Sequence, residues 1–214
     1  MTSGQRCVCA RRLILPPWEK RDEFVNLLKE GISQVKTGCW DSNEDIFMGP
    51  LISEQAANEV MEGQQELLNG GADCLVEVKQ DENVAALLSP GLLDVTQLSQ
   101  RDDEEIFGPL LQLIYVDSFQ QAIDEANNTR FGLAAGLFSD SEEEFNTFYS
   151  QIRAGIVKWN QAFTGSSARA PFGGVGNSGN HRPASSYSAD NFSYPIASME
   201  APKLVPPKKR NPGL

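Results

Sequence analysis

Between residues 110 and 160 the sequence passes twice from a short apolar run to an amphipathic stretch and back, and few folds accommodate that order. Residues 110–116 form an apolar run of strand length. Ser118 and Gln121 follow with the spacing of a helix-opening capping box, and Phe119, Ala122, Ile123 and Ala126 recur on one helical face. Residues 133–138 are a second apolar run. Ser141 to Glu144 caps a second helix that directs Phe145, Phe148, Tyr149 and Ile152 inward, and 155–160 supplies a third run at once. Strand, helix, strand, helix, strand with short connections predicts right-handed crossovers in a parallel sheet covered by helices. The expected fold class is α/β, a three-layer parallel-sheet domain with a C-terminal strand or arm.

The flanking segments are read by the same rules. Phe24, Leu27, Leu28, Ile32 and Val35 fall at helical spacing, so 23–36 is expected to be a helix. Ser53 is a natural N-cap for a second helix that runs to about residue 68, where Asn69, Gly70 and Gly71 stop it. Residues 74–79 alternate like a half-buried strand. Residues 164–180 are rich in Gly, Ser and Ala and predict a long loop, 191–199 one more strand, and the proline-rich tail from 201 with Lys208, Lys209 and Arg210 a mobile end. The implied organisation is one domain over 1–187, a pairing strand over 188–200 and a tail over 201–214.

At 214 residues and 40% hydrophobic content the chain supports one substantial core with an extension. Lys and Arg total 18 against 29 Asp and Glu, a formal charge of −11, which argues against nucleic acid or an anionic membrane as partner. No stretch nears the roughly 20 apolar residues of a membrane-spanning helix, and the N-terminus carries no secretion-signal pattern, so a cytoplasmic location is expected. Cys7, Cys9, Cys39 and Cys74 do not make a disulfide scaffold. With His181 as the sole histidine and no C-x-x-C pair, no metal site is expected.

Chemistry enters at the start of the chain. Cys7 follows Gly4, Gln5 and Arg6 and precedes Arg11 and Arg12. A cysteine that attacks a carbonyl must reach the thiolate form, which takes nearby positive charge, a helix N-terminus or backbone donors. The three arginines are candidates for that charge; a free cysteine is also often just a small buried apolar group. Two further motifs follow: Glu104-Glu105-Ile106-Phe107-Gly108-Pro109, and Pro171-Phe172-Gly173-Gly174 with Ser178-Gly179. On charge pattern alone the favoured reading of Glu104 and Glu105 is a solvated run with Asp102 and Asp103, and Phe107 and Phe172 can simply be core.

In this order and spacing the three motifs resemble the aldehyde dehydrogenase superfamily, over residues 3 to about 199. Cys9-Ala10-Arg11-Arg12 and Gly179-Asn180-His181-Arg182-Pro183 resemble the branch that oxidises N-succinylglutamate 5-semialdehyde in arginine breakdown. The resemblance implies that Cys7 is the nucleophile, that Glu105 binds the nicotinamide ribose and Phe107 flanks the nicotinamide ring of NAD or NADP, and that Phe172 walls the aldehyde pocket. It implies a substrate with several carboxylates, for which Arg6 and Arg169 are the candidate anchors, Arg182 and His181 weaker ones. Only part of a cofactor site is expected, because in such enzymes the dinucleotide domain, the water-activating glutamate and the oxyanion asparagine precede the cysteine. The polypeptide is therefore expected to be a catalytic fragment, inactive alone, or one piece of a split enzyme whose partner is the missing N-terminal cofactor domain. A non-catalytic interaction module that forms homo-oligomers through the C-terminal strand is the alternative.

Overall fold

The computed structural model describes residues 2–99, 101–163, 165, 167–206 and 212–213; the tail's basic Lys208, Lys209 and Arg210 lie outside them. Its main sheet holds β1 (Arg12–Leu15), β2 (Asp73–Val76), β3 (Gly91–Asp94) and β4 (Leu110–Tyr115) in the order β1-β4-β3-β2. β1 and β3 both run parallel to β4, and β2 closes the far edge antiparallel to β3. Helix α1 (Arg21–Ser33) covers one face and α2 (Glu54–Asn69) the other.

The period-two alternation of the strands builds both cores. Leu92 and Leu113 meet Leu15 and Val25 on the α1 side, while Leu93, Leu110 and Ile114 meet Ala57 and Val60 on the α2 side. The result is the expected α/β domain of three layers, with its central strands apolar on both faces.

After β4 come α3 (Phe119–Asn127), β5 (Ala134–Leu137), α4 (Glu142–Gln151) and β6 (Ile156–Trp159). The capping serines behave as the sequence predicts: Ser118 Oγ accepts from the Gln121 N–H and Ser141 Oγ from the Glu144 N–H. The expectation that all three strands of this run share one sheet is corrected. β5 and β6 pair in parallel with each other as a separate two-stranded unit. Both edges of β4 are already taken by β1 and β3, so β5 has no edge of β4 to join.

Three other boundaries move for identifiable reasons. The first helix ends at Ser33, because the Lys36 carbonyl accepts from the N–H groups of Phe47 and Met48 and is drawn into a loop. The strand expected to reach residue 79 stops at Val76, where the buried Gln64 side chain takes over both backbone groups of Val78, at 2.7 and 3.1 Å. Residues 191–199 form no strand: α5 (Ser188–Asn191) ends there, after the short hairpin of β7 (Pro171–Phe172) and β8 (Ala184–Ser185). A strand needs a neighbour's donors and acceptors, and no described strand of this chain pairs with the segment.

Candidate active site

Cys7 sits in a chain of tight turns ahead of β1, in which Gln5 N–H donates to the Thr2 carbonyl, Arg6 N–H to that of Gly4 and Cys9 N–H to that of Arg6. Three contacts pin the loop. Buried Ser3 donates its hydroxyl to the Gly49 carbonyl at 2.5 Å, and Gln5 Oε1 accepts from the Ile52 N–H at 2.9 Å. Gly4, at φ 75°, lies so close to the Gly108 carbonyl that any Cβ would overlap it. Cys7 itself is exposed, and its N–H has no acceptor among the described residues.

The turn that receives Gly4 carries the second motif. Helix α2 seats it: Val60 leaves no room for a side chain at Gly108, and the end of Ile106 lies 2.8 Å from where a Cβ on Gly63 would be. The Cys7 loop and the 105–108 turn are thereby held against one another. Phe107 is 42% exposed, so it is not part of the core. Glu105 is exposed as a residue, but partial burial of its carboxyl pushes its pKa up, with Arg11 pulling the other way.

Of the arginines offered as charge for the thiol, two are engaged elsewhere. Arg11 donates to Asp103 Oδ1 at 2.6 Å and to Thr129 Oγ1 at 3.0 Å, and its guanidinium lies 5.3 Å from the Phe131 ring. Arg12 bonds the Glu125 and Ala126 carbonyls and pairs with Glu125, which Arg101 also meets at 2.9 Å. Arg6 is exposed and forms no ion pair among the described residues. A polar cleft lined by this ion-pair cluster does not include Cys7.

The third motif belongs to the β5–β6 unit. Half-buried Phe172 pairs across to Ala184, and the Gly173 carbonyl lies where a Cβ on Gly155 would fall. Gly132 fastens the following turn, its carbonyl accepting from Val175 N–H at 3.0 Å and its N–H donating to Ser178 Oγ at 3.1 Å. Arg169 is exposed, and its guanidinium has no hydrogen bond among the described residues; His181 and Arg182 are also exposed. No hydrogen bond among the described residues joins this segment directly to the Cys7 loop.

Two contributors escaped the sequence reading. Lys158 Nζ donates to the carbonyls of Ala162, Phe163 and Gly165 and so folds the loop after β6 back on the strand; a lone lysine in an apolar strand is the available signal. Asp103 was hidden in the acidic run.

The Asp103 carboxylate accepts from Arg11, from Thr129 Oγ1 at 2.6 Å and from the Arg130 N–H at 2.6 Å. Burial works against its charge, but the bonds from Thr129, Arg130 and Arg11 outweigh it and hold the carboxyl below the usual carboxylate range. A folded-state pKa below the unfolded one stabilises above the unfolded value and loses that contribution as pH falls through the folded one. The melting-temperature gap between the wild type and Asp103→Asn is therefore expected to be wide at neutral pH. It should close as pH drops below about 4, the ordinary aspartate range. A gap independent of pH in thermal unfolding would contradict this.

With these three segments described, the comparison with known proteins is direct: the model of the aldehyde dehydrogenase family matches residues 1–196. The chain belongs to the aldehyde dehydrogenase family. An N-succinylglutamate 5-semialdehyde dehydrogenase of Pseudomonas fluorescens is 49% identical over all 214 residues, which span 44% of that relative's length. Among solved structures, succinate-semialdehyde dehydrogenase from Burkholderia pseudomallei superposes with a TM-score of 0.79 at 32% identity, covering 89% of this chain and 39% of that one. Betaine aldehyde dehydrogenase from Staphylococcus aureus, solved in complex with NAD+, gives 0.81 at 25% identity, with 89% and 39% coverage. The matched residues include all three segments just described. No helix among the described residues is long and apolar enough to cross a membrane.

Proposed function

We propose that this chain forms the nucleophile-bearing part of an NAD(P)-linked dehydrogenase that oxidises a carboxylated semialdehyde, N-succinylglutamate 5-semialdehyde being the favoured substrate. The observation that carries the reading is the packing of Gly4 onto the Gly108 carbonyl, which couples the Cys7 loop to the Glu105–Phe107 turn. The substrate follows from the 49% identical relative, and carboxylated semialdehydes also fit the succinate-semialdehyde relative. NAD is the substance bound by one structural relative.

Cys7, as the thiolate, attacks the aldehyde carbon and forms a thiohemiacetal. Its own N–H, without an acceptor among the described residues, donates to the oxygen that becomes negative. Bound NAD(P)+ supplies the acceptor for the hydride that this adduct must lose. Exposed Phe107 offers a ring face, and the Glu105 carboxylate offers acceptors for ribose hydroxyls, which fits one edge of that cofactor. Water then hydrolyses the Cys7 thioester to the carboxylate and frees the thiol. Phe172 walls the aldehyde, and Arg6 and Arg169, both without ion-pair partners among the described residues, are the anchors for substrate carboxylates.

These 214 residues span 44% of the length of the N-succinylglutamate 5-semialdehyde dehydrogenase they match, so the dinucleotide-binding and water-activating groups are assigned to the remainder. By themselves these residues are expected to turn over negligibly, since loss of a general base alone costs about 10²- to 10⁴-fold in rate. The decisive experiment joins the chain to an upstream cofactor-binding region and follows NADH formation with N-succinylglutamate 5-semialdehyde. Robust NADH production supports the reading, and its absence with this and other carboxylated semialdehydes sinks it. In that enzyme Arg169→Ala should narrow the preference for the succinylated over the unsubstituted semialdehyde by about tenfold in kcat/KM, the worth of one charge-assisted contact. An unaltered preference would remove Arg169 as an anchor.

A second reading is favoured by one feature. Phe192, Tyr194 and Ile196 are 92%, 86% and 82% exposed, an apolar row that a neighbouring subunit's sheet edge would cover. Homo-oligomer formation through 191–199 should disappear when 191–214 is removed; an unchanged mass in light scattering would dismiss it.

A further inference from the structure

We propose that Asp103 is a positioning residue that holds together the three segments from which the site is built; the inference rests on the reading of Glu105 and Phe107 as the cofactor edge. Asp103 lies two residues before Glu105. Its Oδ1 accepts from Arg11, the residue just before β1 on the strand led by Cys7, and the Arg11 carbonyl in turn accepts from the Gln112 N–H of β4 at 3.0 Å. Its Oδ2 accepts from the Arg130 N–H, and its backbone carbonyl accepts from Arg130 Nη2 at 3.1 Å.

Arg130 belongs to the connection into the β5–β6 unit, and its own carbonyl accepts from the Asn177 N–H at 2.8 Å in the turn after Phe172. One carboxylate therefore touches the nucleophile strand, carries the cofactor-edge turn and reaches the aldehyde-side loop through a single residue. The arrangement matters because β5 and β6 share no strand pairing with the main sheet, so side-chain bonds of this kind set the spacing between the two units. Two further residues stiffen the hub. Thr129 Oγ1 donates to Oδ1 while accepting from Arg11, and the Phe131 ring lies 5.3 and 5.5 Å from the guanidinium carbons of Arg11 and Arg130.

Amide hydrogen exchange on the intact 214-residue chain, read by mass spectrometry, tests this. In Asp103→Asn, exchange across 104–108 and 174–179 should accelerate about tenfold more than exchange across Leu110–Tyr115 and Glu54–Asn69, which follows only the change in global stability. Asp103→Glu, which retains the charge, should restore most of the protection. Should Asp103→Asn fail to fold, Thr129→Val removes a single donor and should show the same local pattern at a few-fold scale. Unchanged exchange in both loops, uniform acceleration across the chain, or no rescue by Asp103→Glu would each overturn the proposal. Exchange reports on the loops themselves, so this outcome is separate from the cofactor reading, which stands or falls by NADH production.

Discussion

Cys7→Ala is expected to abolish aldehyde oxidation once the chain is joined to its cofactor-binding region, lowering kcat/KM by about 10⁴-fold or more, because no other group takes the covalent role. Serine should do little better, since an unactivated hydroxyl is a far weaker nucleophile than a thiolate. The neighbouring Cys9 is not a substitute. Its N–H is spent on the Arg6 carbonyl, and it is less exposed than Cys7. The check is a single-turnover assay of NADH formation with each variant. Cys9→Ser should keep most of the activity, and a Cys7→Ala enzyme with more than about a hundredth of wild-type rate would remove the nucleophile from the account.

The second large effect concerns Gly4. Alanine there must find room against the Gly108 carbonyl and must also hold a φ of 75°, a region that side-chain-bearing residues avoid. Neither neighbour can yield cheaply. Gly108 is backed by Val60 on α2, and the loop is tied at Ser3 and Gln5 on either side of Gly4. Overpacking together with backbone strain should cost about 2 to 4 kcal/mol. For a chain of this length that lowers the melting temperature by roughly 4 to 16 °C. Differential scanning calorimetry reads it directly, and a Gly4→Ala chain that melts with the wild type would show that the loop and the turn are not packed as described.

The sequence made the local elements legible where a single signal sufficed. Ser53, Ser118 and Ser141 all cap the helices they were expected to cap, because the donor they satisfy lies three residues away. Pairing across distance was less legible. The run over 110–160 looks like three successive strands of one sheet, yet the partners of β4 are β1, far upstream, and β3, a four-residue strand whose two leucines carry no periodic signature. The site followed the same division. Cys7, Glu105, Phe107 and Phe172 are singled out by motif, but the bonds of Asp103 to Arg11, Thr129 and Arg130 depend on which loops meet in space. Arg11 and Arg12 stand near Cys7 in sequence and are turned to Asp103 and Glu125 in the fold.

The central claim is that Cys7 is a reactive thiol at an open site. Its most direct test is the order in which the four cysteines of the native chain react with iodoacetamide near neutral pH, mapped by mass spectrometry. Exposure alone predicts that Cys7 and Cys74 react together. Burial of the Cys74 thiol, reinforced by Glu77, pushes its pKa up and leaves less of it as thiolate. The account predicts that Cys7 is modified well ahead of Cys9, Cys39 and Cys74; alkylation of Cys74 first, or of all four at one rate, would contradict it.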